Sequence, residues 1–156
     1  MTKKVSYLAI TLKFSIASFF LAVLPVFVAL GFQLILTGLG ADCNKAWTII
    51  WTISWTGMII TPILFARRIR RRGLAGFHLP SQAVTFFNII QYSFIQWSLA
   101  SILTSGKTLC YVTDGQNGIE FIFTGWMAIP VLLALSLFFD FVKRKTQEDL
   151  YNIHNS

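Results

Sequence analysis

The chain has 156 residues, of which 55% are hydrophobic and only 12% charged, and it carries a formal net charge of +7. A soluble domain has about 45–50% apolar and about 25% charged residues, so this composition points to a chain whose solvent is lipid. The length suits a single unit over residues 1–156, and the basic residues fall in short runs between apolar stretches, a pattern that sets topology and argues against a nucleic-acid partner.

A membrane-spanning helix needs about 20 mainly apolar residues. The first candidate covers residues 14–36, behind Lys3, Lys4 and Lys13. Its apolar run is longer than the roughly 7–15 residues of a signal peptide. Leu39-Gly40-Ala41 would make a passable cleavage site, but Asp42 before Cys43 spoils a lipoprotein signal. The second candidate covers residues 46–66 and is closed by Arg67, Arg68, Arg70, Arg71 and Arg72. The third covers 83–104. The fourth covers 119–142 and is followed by Lys143, Arg144 and Lys145, then by a polar tail expected to be a short helix.

These clusters put 11 of the 13 basic residues on one side of the four spans, leaving Lys45 and Lys107 beside Asp42, Asp114 and Glu120 on the other. The basic side is expected to be cytoplasmic. The reading is an all-α, four-transmembrane-helix bundle of the bacterial inner (plasma) membrane with both termini cytoplasmic. The arginine run would also lie against anionic headgroups, at about 1 kcal/mol per residue near the surface.

The two halves look alike. Ile35-Leu36-Thr37-Gly38 returns as Ile102-Leu103-Thr104-Ser105, and Cys43 and Cys110 share the same offset of 67. Thr56-Gly57 with Pro62 returns as Thr124-Gly125 with Pro130 at an offset of 68. The expectation is two parallel-repeat helical hairpins, about 14–72 and about 81–145. An axis along the membrane normal would relate them, unlike the inverted repeats of many transporters. Ala46-Trp47, Trp51 and Ser54-Trp55, then a proline and Arg67-Arg68, resemble a small uncharacterised bacterial inner-membrane family, a domain of unknown function built as a two-helix hairpin with a tryptophan-rich second helix and a basic end. The resemblance covers about residues 14–72. It implies an inner-membrane hairpin, here in tandem, and brings no chemistry with it.

Cys43 and Cys110 fall in outer loops at equivalent repeat positions, so a disulfide is expected to tie the hairpins together in an oxidising compartment. A quinone-linked thiol oxidase would need a Cys-x-x-Cys and a second pair. Both histidines, His78 and His154, lie outside the spans, which argues against haem in the bundle. No span carries a charge near its centre, which argues against a proton-coupled pump; Lys13 and Asp140 sit at span ends, where side chains reach the interface. Neither a metal nor a cofactor is expected.

The third span is polar. Asn88, Gln91 and Ser98 recur at helical spacing, with Ser93 and Gln96 nearby. In hydrocarbon such groups need partners, so they are expected to bond across the bundle, to meet a partner protein or to line a small polar cavity. Trp47, Trp51 and Trp55 form one stripe on the second span and Thr48, Thr52 and Thr56 the next. Gly57 and Gly125 should permit close helix approach, and Pro25, Pro62 and Pro130 should kink their spans.

With no acid, base or nucleophile cluster, the chain reads as a non-enzymatic interaction or accessory protein: a subunit, or an immunity-like protein guarding the membrane. Its partners would be the lipid bilayer and a membrane protein or further copies of itself. The alternative is a small oligomeric transporter or channel.

Overall fold

A computed structural model describes residues 6–71, 81–104, 109–110 and 119–155. The regular elements among them are α-helices: α1 (Tyr7–Phe20), α2 (Leu24–Gly38), α3 (Cys43–Arg71), α4 (Ser81–Leu103) and α5 (Ile119–Asn155). The tail expected as a separate short helix continues α5 without a break. Arg72 and His78 lie outside the described residues.

The stretch expected as a single first span is two helices, α1 and α2, bent by 70°. Pro25 is the reason. A proline inside a helix lacks the N–H donor and its ring collides with the preceding turn, whereas in a first helical turn neither defect matters. The chain ends α1 and restarts with Pro25 in the first turn of α2. Tight backbone bonds bridge the corner, Leu24 N–H to the Leu21 carbonyl (2.9 Å) and Val26 N–H to the Val23 carbonyl (3.1 Å). Pro62 and Pro130 instead lie inside the continuous helices α3 and α5.

By length and composition α3 and the Glu120–Asp149 stretch of α5 can each cross a membrane, and the bent α1–α2 pair makes a third if counted as one span. Two to three of the four expected spans therefore qualify. With 23 residues, α4 is about 35 Å long and has the reach, but its amides and hydroxyls make it too polar. Its position explains how this is tolerated: α4 packs against α1, α2, α3 and α5, and so is the central helix.

The interior is layered along α4. At the basic end Phe65 and Phe87 stack at 4.3 Å, and both meet Phe139 edge-on at 5.1 and 5.3 Å. In the middle Tyr92 and Ile95 pack on Ala128 and Leu132. At the far end Trp47, Trp97, Ala29 and Phe121 form a third cluster, against which Cys43 and Cys110 lie. These two cysteines are disulfide-bonded, with Cα atoms 5.8 Å apart and 67 residues between them in sequence. Outward, the helices carry Phe20, Phe27, Leu34, Ile53, Ile59 and Phe138, all more than half exposed. Soluble monomers rarely expose apolar surface so continuously.

Asp140, placed at a span end by the sequence, has a definite partner there. It turns to the start of α1, where its carboxylate accepts hydrogen bonds from the Tyr7 N–H (3.0 Å), the Leu8 N–H (3.1 Å) and the Ser6 hydroxyl (2.7 Å). The first N–H groups of a helix have no internal partner and carry the positive end of its dipole. A carboxylate from α5 supplies both needs. The Lys143 ammonium lies over the Tyr7 ring at 4.9 Å, beside this contact.

Asp140→Ala should therefore free α1 from α5 at a loss of about 2 kcal/mol, read as new protease cuts near residues 7–13 and a lower unfolding midpoint in micelles. An unchanged digest would mean that α1 is held by other contacts. Removing the disulfide with Cys43→Ala/Cys110→Ala should lower stability by about 2–4 kcal/mol, the range expected for a closed loop of this size, with the difference between the two forms vanishing under reducing conditions.

Candidate functional site

The chemistry of this chain is concentrated on α4, around which Asn88, Gln91, Gln96 and Ser98 are buried almost completely with Tyr92 and Trp97. In a low-dielectric interior an unpaired amide or carbonyl costs several kcal/mol. Most of the α4 donors are directed at backbone carbonyls, and several of those carbonyls lack a helical donor because of a proline or the helix break.

Pro62 has no N–H, so the carbonyl four residues before it, on Met58, lacks its helical donor. Gln91 Nε2 donates to that carbonyl at 3.1 Å. At the α1–α2 corner the last backbone bond of α1 runs from Leu21 N–H to the Ala17 carbonyl. Three of the carbonyls beyond it accept from side chains instead. Tyr92 donates its hydroxyl to the Ser18 carbonyl (3.4 Å), Trp126 its indole N–H to Phe19 (3.1 Å) and Gln96 Nε2 to Ala22 (2.9 Å). Gln96 Nε2 also reaches the Phe121 carbonyl on α5 (3.0 Å), and Trp97 donates to the Pro25 carbonyl at 3.0 Å. One glutamine thus ties α4 and α5 to the corner. Lower down, Asn88 and Thr11 bond each other, the closer contact being Asn88 Nδ2 to Thr11 Oγ1 at 3.1 Å.

Close approach makes these bonds reachable. A Cβ on Gly125 would lie 2.7 Å from the Tyr92 hydroxyl and 3.0 Å from both Gln96 Nε2 and the Ala22 Cβ, so α5 could not approach the corner with a larger residue there. A Cβ on Gly57 would meet the Phe94 ring at 2.5 Å. Thr124, next to Gly125, is buried and bonds back to the Phe121 carbonyl.

The tryptophan stripe divides. Trp47 is buried and stacks on Trp51 at 4.9 Å, and both rings pack on Phe121. Trp55 is partly exposed and donates to Ser101 Oγ at 2.9 Å. Thr48, Thr52 and Thr56 each bond the carbonyl four residues back along α3, so Thr56 does not join the α4 network. Arg67, Arg68, Arg70 and Arg71 are exposed at the far end of α3. At the opposite end Asp42 caps α3 by accepting from the Lys45 N–H at 2.8 Å. That bond, with the Lys45 ammonium 3.1 Å away, holds the Asp42 carboxyl below its usual range.

No described residue donates to Gln91 Oε1 or Gln96 Oε1, and the Ser98 hydroxyl and the Trp47 indole N–H are likewise unpaired. The described residues bring no three His, Cys, Asp or Glu side chains together. What the α4 donors chiefly do is hold backbone. Sequence reasoning singled out Asn88, Gln91 and Gln96 but passed over Thr11, Tyr92, Trp97 and Trp126. The pairing of Gln91 with Pro62 had a signal in retrospect: a buried donor on one helix at the depth of a proline on its neighbour.

Gln91→Leu should cost about 1–2 kcal/mol. In a Pro62→Ala background, where the new alanine returns an N–H to the Met58 carbonyl, the same change should cost clearly less. A double-mutant cycle of unfolding midpoints in micelles checks this, and additive effects would show that the amide is not serving the proline defect. Gly125→Ala, which obstructs Gln96, should destabilise more than Gly31→Ala, whose Cβ meets nothing within 4 Å. Compared with protein-family models, curated proteins and solved structures, the chain matches none.

Proposed function

We propose that this chain is a small polytopic protein of the bacterial inner membrane that works as an interaction or accessory subunit, of which an immunity-like protein is one form, and not as an enzyme. In this reading α3, α4, α5 and the bent α1–α2 pair make four passes, with both termini and the arginine run of α3 in the cytoplasm. The carrying observation is how the buried donors of α4 are used: on backbone carbonyls of the neighbouring helices. That leaves an apolar exterior and basic ends as the surfaces through which the chain can act. Support for α4 as a fourth pass is that it is enclosed by the other helices, so its polar groups need not face lipid. The resemblance of residues 14–72 to two-helix inner-membrane hairpins is in keeping with this reading.

A second reading, a small oligomeric transporter or channel, draws on the discontinuous first span and on the two buried amide oxygens without donors. Broken helices with free polar groups at mid-depth frame solute sites in many transporters.

Reporter fusions after residues 75 and 156 should both read as cytoplasmic, and one after residue 110 as external; a fusion at 110 that reads as cytoplasmic would end the four-pass reading. Crosslinking in native membranes should capture a membrane protein of a different sequence. Recovery of monomer alone, together with solute flux in liposomes that Gln91→Leu abolishes, would replace the subunit reading with the transporter one.

A further inference from the structure

At the basic end of α3 an open groove of about 840 Å³ runs between α3 and α4. Its walls are two helical stripes. Thr61, Leu64, Arg68 and Arg71 follow one face of α3, with Arg67 beside them, and Ala83, Phe86, Phe87 and Ile90 follow one face of α4. The floor is the stacked pair Phe65 and Phe87, and Leu64 and Phe86 stand exposed along the rims.

Charge is confined to one end. Arg67, Arg68 and Arg71 line the groove, no Asp or Glu does, and none of the three arginines is ion-paired among the described residues. From Thr61 to Arg71 the apolar trough and its basic head together extend about 15 Å along α3. A guanidinium cluster at one end binds phosphate through several parallel N–H donors, while the trough excludes water from whatever lies in it. A soluble anion would use the head and leave the trough empty. An acidic peptide would bring a polar backbone into it.

The geometry points to a site for one anionic phospholipid of the cytoplasmic leaflet, its phosphate held by Arg67, Arg68 and Arg71 and an acyl chain lying along Leu64, Phe86 and Phe87. This rests on the membrane reading above and adds a ligand to it. Arg70 provides an internal control, since it lines a different groove, shared with Lys145 and Asp149.

The test uses the full chain in nanodiscs of equal parts phosphatidylglycerol and phosphatidylcholine, released in the gas phase so that retained lipids are counted by native mass spectrometry. The protein should keep phosphatidylglycerol roughly tenfold over phosphatidylcholine, and Arg67→Gln/Arg68→Gln/Arg71→Gln should bring the ratio close to one. Arg70→Gln should leave it unchanged. Leu64→Ser/Phe86→Ser, at exposed positions where folding is not at stake, should reduce phosphatidylglycerol retention several-fold.

Survival of the preference in the triple variant would overturn the site, and an equal loss in Arg70→Gln would reduce it to diffuse surface charge. Displacement of the lipid by excess inorganic phosphate would leave an anion site without a lipid. Displacement by a soluble acidic peptide would make the occupant a protein segment. A chain that fails to enter nanodiscs at all defeats the membrane reading itself, which is a distinct result from entry without selectivity.

Discussion

Backbone carbonyls that lose their helical donor must find another one, and most of this architecture follows from that requirement. Pro25 breaks one helix into two and Pro62 removes a donor from the middle of another. In water such defects are repaired by solvent. In a packed apolar interior the repair has to come from the protein itself, from a neighbouring backbone N–H or a side chain. Here α4 supplies it through Gln91, Tyr92 and Gln96, and α5 adds Trp126. The central position of α4 and its polarity are two aspects of one fact, because a helix that repairs its neighbours must touch all of them and must carry donors.

The same requirement ranks the contacts. The aromatic layers fill space, and substitutions there trade volume against volume. The amide contacts are directional, and those of Gln91 and Gln96 with Met58 and Ala22 meet carbonyls that lack a helical donor. Gly125 matters because it lets α5 come close enough for one amide, Gln96, to bond both the corner and α5. Asp140 works on the same principle from the opposite charge, bringing an acceptor to N–H groups at the start of α1 that have no internal partner. The disulfide holds the start of α3 to Cys110 at the end far from Asp140.

Helical content was legible in the sequence, since long apolar runs with basic punctuation leave few alternatives. The pairing of Cys43 with Cys110 was legible from their equal places in the two halves. The 70° break was not. Pro25 announced a disturbance, but a kink and a full corner differ only in whether neighbouring helices can satisfy the freed carbonyls, and that depends on residues more than 70 positions away. The bend also sets the first half apart from the second, in which α4 is a single helix. The capping role of Asp140 was not legible either, because the end of an apolar run does not say which helix start lies beside it. For Gln91 and Gln96 the sequence raised the question of partners, but only the packing could reveal that those partners are backbone.

The order of the α4 contacts along the chain bears on how such a protein is made. Ser18, Ala22, Pro25 and Met58 all precede α4, whereas Phe121 and Trp126 follow it. If the chain enters a membrane from its N-terminus, the helices that α4 must satisfy are already waiting when it emerges. A segment too polar to enter lipid alone would then arrive with its acceptors in place, so the insertion of α4 would be assisted by the helices it repairs. The broken first span would thus act as a receiving cradle during synthesis, before α5 closes over the corner.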